Sequence, residues 1–393
     1  MIFEALPARY GDSLLLTLEA PNGGAVRLLV DGGPGTVFAK SVKPRLQAER
    51  QKLKLDAADP LVLDAIMISH IDEDHILGIL DLFAVLRDAD DRSKPRPYEV
   101  TWLLHNSFDG LLGEGEGGAA RGLKGETVLA GLAGDGAPLP ELSNDALLVL
   151  QSYGQGSQLS TLAAALTISR NPPDQRPLTY EGAGPRTLRL GDATLKIVGP
   201  LHDEIEKLRK EWQKYRNKKS SKADLAAYLD KSVPNLSSIV ALVECRGKTA
   251  LLTGDARGDK IIEGLKKAGI VSDGKVLNVD ILKLPHHGSE RNIDSDFFKT
   301  IHADHYVASG DGTYGNPDRA TLELIESARP KGDYTIHLTY PASECDETHK
   351  EWLAKRKKGK FVAAKHSLVD LLQDWKASKK KIKVLEGAVK IKL

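Results

Sequence analysis

The strongest constraint on this chain is the stretch Ile66 to Gly78, IMISHIDEDHILG, where an apolar run stops and two histidines and three carboxylates follow within six residues. The segment DAIMIS has the length and β-branched content of a buried strand, and ILGILDLFAVL behind it has the apolar spacing of a helix. The polar cluster therefore falls on a strand-to-helix loop. Strand alternation throws neighbouring side chains to opposite faces; a loop lifts that restriction, so His70, Asp72, Asp74 and His75 can converge. A turn that only caps a helix needs one Asp or Ser. Four ligand-type side chains together suit a pair of metal ions.

Composition narrows the setting without naming a partner. With 393 residues, 41% hydrophobic and 28% charged, the chain can build one large domain with insertions, or two. Lys and Arg total 55 against 54 acids, a net charge of +1, so no global field draws it to nucleic acid or membrane. Cys245 and Cys345 are the two cysteines, which fits a reducing compartment and argues against a disulfide framework or a thiolate zinc cluster; both read as buried small hydrophobes. The N-terminal MIFEALPARYGDS lacks a basic-then-apolar leader, and no apolar run reaches about 18 residues. The expectation is a soluble, cytoplasmic protein.

Along the chain, IFEALPA, SLLLTLEA and AVRLLVDGG predict an opening β-meander that delivers Asp31 into a glycine-rich turn. Residues 36–60 predict a surface helix, and the metal-loop helix is expected to run to about Leu86, followed by the linker RDADDRSKPRP. YEVTWLLHNSF predicts a strand ending at His105. Residues 109–185 read as a Gly-rich, partly helical insertion, a candidate cap, whose glycine runs lack the Lys-Ser/Thr ending of a phosphate loop. TLRLGDATLKIVGP predicts a hairpin. A second, basic helical insertion over 201–235 carries Lys207, Lys210, Lys214, Lys218 and Lys222 with Trp212 and Tyr215 between them. NLSSIVALVECRGKTALLTGDA predicts two strands ending at Asp255, and VDILKLPHHGSERN a buried strand ending at His286, His287, Gly288 and Ser289. Adjacent histidines at such a place need partners. Tyr314-Gly315-Asn316-Pro317 precedes a further helix, and the Lys-rich tail from about 346 to 393 predicts a terminal hairpin whose lysines protect an edge or form a second basic surface.

The run H-x-D-x-D-H at His70 to His75 resembles the H-x-H-x-D-H signature of the metallo-β-lactamase superfamily, with Asp72 in place of the middle His. ARYGDSLLL with LLVDGG, LLTGDA, LKLPHHGS and the YGNP segment are similar, in order, to the ComEC-type group of that superfamily. The resemblance covers about 1–108 and 186–345. It implies an α/β fold, the αββα sandwich of two mixed β-sheets with outer helices, as a catalytic domain over 1–345 interrupted by both insertions, with 346–393 packing on or extending it. It also implies two divalent ions: His70, Asp72 and His105 on one, Asp74, His75 and His286 or His287 on the other, with Asp255 bridging and Asp31 supporting from behind. Of the adjacent pair, His286 is the expected ligand and His287 the one that contacts substrate or supports the site. Asn316 stands where the group usually has a His, and Asn cannot shuttle a proton.

The implied activity is metal-dependent hydrolysis by activated water, with Asp74, Asp255, His287 and Asn316 about the reacting centre and Ser289, Tyr314, Lys214 and Lys218 about the substrate. Asp72 hardens the first site, favouring Mn²⁺ over Zn²⁺, with Mg²⁺ also able to serve. The basic run beside such a site makes nucleic acid the expected substrate and a phosphodiesterase or nuclease the expected enzyme. Two alternatives stand beside it. One is a small-molecule hydrolase, such as a cyclic-nucleotide phosphodiesterase or lactonase; the other is a partner-activated subunit using the insertions for a protein partner or homo-oligomer.

Overall fold

Period-2 alternation of apolar side chains sorts this chain into layers. Ala65 and Met67 face a core between two sheets, while Ile66 and Ile68 pack outward under helices. In the other sheet Ala250 and Leu252 face the same central core, and Leu251 packs outward. Both faces of these strands are covered, which is why they read as continuous apolar runs. The computed structural model describes residues 1–20, 23–106, 155–156, 158–172, 178–182, 186–207, 210, 238–356 and 359–393. Lys214 and Lys218, with Trp212, Tyr215 and Lys222, lie outside the described residues, as does most of the stretch expected to be the Gly-rich insertion.

The described strands of the first half are β1 (Ile2–Ala5), β2 (Leu14–Glu19), β3 (Ala25–Val30), β4 (Leu61–Met67), β5 (Tyr98–Leu104) and β6 (Ser169–Arg170). Those of the second are β7 (Arg186–Leu190), β8 (Ala193–Gly199), β9 (Val240–Cys245), β10 (Lys248–Leu252), β11 (Leu277–Lys283), β12 (Ile301–Ala308), β13 (Thr335–Leu338), β14 (Lys383–Glu386) and β15 (Val389–Lys392). One sheet has the order β15-β1-β2-β3-β4-β5-β6 and the other β14-β13-β12-β11-β10-β9-β8-β7. Each is mixed. The meander β1-β2-β3 is antiparallel and β3 to β6 parallel; β7 to β10 are antiparallel and β10 to β14 parallel.

Helices α1 (Lys43–Lys52) and α2 (Glu73–Asp91) cover the first sheet with Leu46, Ile76, Ile79, Phe83 and Leu86. Leu159, Ala163 and Leu166, from the C-terminal part of the stretch expected to be an insertion, join the same layer. Helices α3 (Gly258–Lys267), α4 (Ser295–Thr300), α5 (Arg319–Ala328), α6 (Ala342–Arg356) and α7 (Leu368–Ala377) cover the second. The architecture is an αββα sandwich. Among the described residues, no helix is long and apolar enough to cross a membrane.

Two local expectations are corrected. Helix α2 runs past Leu86 to Asp91, because Arg87–Asp91 and Asp88–Arg92 form i,i+4 ion pairs on its exposed face. The terminal hairpin does not form: β14 pairs with β13 and β15 with β1, so the last two strands extend different sheets. Gly387, at φ 97°, turns the chain between them and donates its N–H to the Leu338 carbonyl at 2.9 Å. Cys245 and Cys345 are both free and buried.

Candidate metal centre

The loops that follow β3, β4, β5, β10, β11 and β12 carry Asp31, His70, His105, Asp255, His286 with His287, and Ser309. Carboxyl ends of parallel strands open onto the crevice where ligands bind in open α/β sheets, and here the ends of two sheets meet. The metal loop is pinned at both ends. Asp31 accepts hydrogen bonds from the Ser69 backbone at 2.7 Å and the Ser69 hydroxyl at 2.6 Å. Helix α2 starts hard against the Asp31-Gly32-Gly33 turn: Gly32 N–H donates to the His75 carbonyl at 2.7 Å, and a Cβ on Gly78 would lie 2.0 Å from the Gly32 oxygen. His286 and His287 adopt left-handed backbone, φ 48° and 56°, each an unfavourable conformation by about 1–3 kcal/mol. Bonds from His286 N–H to the Gly254 carbonyl and from Asp318 N–H to the Gly288 carbonyl hold that turn.

These loops bring eight expected residues together. His70 Nε2 lies 3.5 Å from Asp72 Oδ2 and 3.7 Å from Asp255 Oδ2. His75 Nε2 lies 3.4 Å from Asp255 Oδ1 and 3.7 Å from Asp74 Oδ2, while its Nδ1 meets Asp31 Oδ2 at 2.9 Å. His286 and His287 each place Nε2 3.6 Å from Asp255 Oδ2. They differ in setting. The His286 side chain is 34% exposed; that of His287 is buried, with Nε2 3.2 Å from Asp74 Oδ2. Asp12, His75, Asp255 and His287 form one buried group able to hold an ion, and His70, Asp74 and His75 a second.

Electrostatically the centre is a buried knot of carboxylates that demands positive charge. Burial by itself would raise Asp255, but His287, His286, His75 and His70 hold its carboxyl well below the usual carboxylate range. Burial likewise opposes charge on His75 and His287, and the carboxylates, Asp255 first, carry both well above the ordinary histidine value. The buried Nε2 atoms of His70, His75 and His287, and Asp255 Oδ1, have no hydrogen-bond partner. A buried polar atom left unpaired costs about 1–3 kcal/mol, so several pointing at one space call for a shared partner. Imidazole nitrogens and carboxylate oxygens in that arrangement fit divalent metal ions.

Other expected residues lie around this knot. His105 is buried with both ring nitrogens unpartnered, and burial lowers it to about 4. It is absent from both groups; its Nε2 and Ile71 of the metal loop both flank Gly156. Asn316 is buried, its carbonyl accepting from Gly312 N–H at 2.9 Å. Ser289 is buried and its N–H donates to the His286 carbonyl, so it braces the histidine turn. Tyr314 is 49% exposed.

Sequence reasoning missed Asp12. It is 1% exposed, forms an ion pair with buried Lys283 at 2.7 Å, and approaches His287 Nδ1 at 3.3 Å through its other oxygen, which also accepts from the Ser309 hydroxyl. Lys283 was the available signal: a lysine inside the apolar run DILKLP has to find a buried carboxylate.

A sequence model described as the metallo-beta-lactamase superfamily matches residues 7–140. Microtubule-associated protein 1A of mouse and of human is 30% identical over 98 residues, 23% of this chain; the match spans 4% of the length of those relatives. Among solved structures, the metallo-beta-lactamase fold protein YhfI from Bacillus subtilis aligns over 99% of this chain and 98% of its own, at 12% identity and a TM-score of 0.35. CmlA, a diiron beta-hydroxylase from Streptomyces venezuelae, aligns over 99% of this chain and 54% of its own, at 12% identity and a TM-score of 0.37.

Proposed function

We infer, from the metallo-β-lactamase superfamily fold of this chain and the buried His/Asp knot at its strand ends, that it is a metal-dependent hydrolase, and we propose that it cleaves phosphodiesters in DNA or RNA. The observation that carries the reading is the set of unpartnered buried atoms, His70 Nε2, His75 Nε2, His287 Nε2 and Asp255 Oδ1, gathered about one space. One ion would take His70, Asp72 and His105, the other Asp74, His75 and His287, with Asp255 between them. His287 is preferred to His286 because its ring is buried against Asp74. Divalent ions held there would activate water and neutralise charge on the reacting phosphoryl group.

The protein's own residues prepare that chemistry. Asp31 at His75 Nδ1 and Asp12 at His287 Nδ1 set each ring so that Nε2 faces the ion space, the carboxylate–histidine arrangement that fixes tautomer and orientation. Asp74 has a less buried carboxylate than Asp255, 23% against 6% exposed, and can orient the attacking water at the cleft side. Asn316 can donate a hydrogen bond to a phosphoryl oxygen but cannot supply the leaving group with a proton. Asp72, a harder ligand than the His of the superfamily signature, favours Mn²⁺ over Zn²⁺.

The test is cleavage of labelled single- and double-stranded DNA and RNA by metal-stripped protein, with Mn²⁺, Mg²⁺ or Zn²⁺ restored separately, beside an Asp74→Ala, His75→Ala double variant. Metal-dependent cutting, strongest with Mn²⁺ and lost in the variant, is expected. Full cleavage by the variant, or stoichiometric metal binding with no cleavage of any polynucleotide, defeats the nuclease reading.

A further inference from the structure

Three aromatic rings line up beside the metal centre. Tyr314 stands edge-on to Tyr10 at 5.5 Å between centroids and to Trp352 at 5.6 Å. The guanidinium of exposed Arg9 lies 5.0 Å from the Tyr10 centroid. Their positions relative to the centre follow from the backbone. Gly11, next to Tyr10, is packed so closely that a Cβ there would sit 2.0 Å from the Asp74 carbonyl oxygen, and Asp12 N–H donates to that oxygen at 3.2 Å. On the other side, a Cβ on Gly310 would meet the His287 Cβ at 3.6 Å, and Gly312 N–H bonds the Asn316 carbonyl. Tyr10, on the loop between β1 and β2, and Tyr314, on the loop after β12, thus reach the rim from segments packed against Asp74 and His287.

Tyr314 is placed there against its own preferences. Its φ is 65°, a left-handed backbone rare for an aromatic residue, and its side chain remains 49% exposed. The loop is packed closely on α6 at this point: a Cβ on Gly312 would fall 2.0 Å from the Cys345 oxygen. A strained, wedged backbone presenting a half-exposed ring beside a candidate active site is where function is sought. The rim's chemistry, a half-exposed Tyr314 ring set edge-on to Tyr10, whose own face carries the Arg9 guanidinium, matches a nucleobase on Tyr314 with its phosphate near a positive charge.

We propose that Tyr314, with Tyr10 and Arg9, forms a base-stacking platform that holds the nucleobase of a nucleotide whose phosphate lies at the metal centre. The inference rests on the phosphodiester reading above and names the part of the substrate recognised beyond the phosphate. A free nucleotide and a nucleotide within a polynucleotide share this chemistry.

Binding to the Mn²⁺-loaded protein, followed by calorimetry with the oligonucleotides made as cleavage-resistant phosphorothioates, tests it without turnover. The probes are adenosine monophosphate against ribose 5-phosphate, and a base-bearing oligodeoxynucleotide against an abasic one of the same length. The base should tighten binding about tenfold, Tyr314→Ala should abolish the difference, and Tyr314→Phe, which keeps the ring, should retain it. Gain from the base in the oligomer pair only marks a polynucleotide; gain in both pairs marks the nucleotide unit itself. Equal binding with and without the base, or binding of none of the four probes, overturns the platform. Metal-dependent cleavage with base-independent binding would sink this inference and leave the hydrolase; base-dependent binding with no phosphodiester cut would do the reverse.

Discussion

At the residue scale, Asp12 and Lys283 form the ion pair most exposed to test, since each side chain is no more than 2% accessible. Removing one partner of a buried pair strands the other charge and costs about 3–5 kcal/mol, whereas replacing both with apolar or neutral groups can be nearly neutral. Asp12→Asn should therefore lower the urea midpoint strongly, and Asp12→Asn with Lys283→Met should recover most of the loss. A double variant no more stable than the single one would show that the pair is not what the cost reports. His337 gives a second residue-level prediction. Burial first, then His305 and Lys383, lower it from the ordinary 6.5 to about 4, so between those values the unfolded chain binds more protons than the native one. Its contribution is fully present above about pH 6.5 and is lost as pH falls toward about 4. From about pH 7.5 to about 4.5 the denaturation midpoint of the unaltered protein should drop relative to that of His337→Gln.

At the scale of elements, the start of α2 decides the geometry of the metal loop. Gly78 is required by close approach, since its Cβ would collide with the Gly32 oxygen at 2.0 Å. Gly35, three residues further along the same turn, has as its nearest neighbour a Leu77 methyl at 3.7 Å. Gly78→Ala should destabilise by about 1–3 kcal/mol and weaken divalent-metal binding by displacing His75, despite alanine's better helix propensity. Gly35→Ala should leave both unchanged. Calorimetric melting and metal titration of the two variants decide the point; a Gly78→Ala protein with unaltered metal affinity would mean that the loop is held elsewhere. The helix and the strand around this loop were legible as apolar periodicity, whereas the contact between Gly32 and Gly78 was not, because it joins residues 46 apart.

For the whole molecule, the last two strands tie the sheets together. Val389 and Ile391 of β15 enter the core between the sheets, while β14 edges the opposite sheet. Deleting residues 383–393 removes both, and burying two such side chains is worth about 3–6 kcal/mol. A truncated chain should unfold at markedly lower denaturant with loss of stability in both sheets, read by amide exchange in β1 and in β13 together. Protection lost in only one of them would show that the sheets are stabilised independently. The local pattern KVLEGAVKIK suits a hairpin; the pairing went elsewhere because β1 and β13 each offered an open edge, information that resides in distant segments.

By itself the sequence determined where the central strands lie, as continuous apolar runs, and the concentration of ligand-type side chains at strand ends, through the abrupt change from apolar to charged residues at His70, Asp255 and His286. It also carried the sign of a buried lysine at position 283. What only the tertiary structure decided were relations between distant segments: that Asp12 neutralises Lys283 and meets His287, that His287 is buried against Asp74 while His286 faces outward, and that Tyr10 and Tyr314 share a rim. The reason is physical. Periodicity and ligand type are properties of a segment, while pairing, burial of one histidine over its neighbour and close glycine contacts depend on which surfaces the packed sandwich brings face to face.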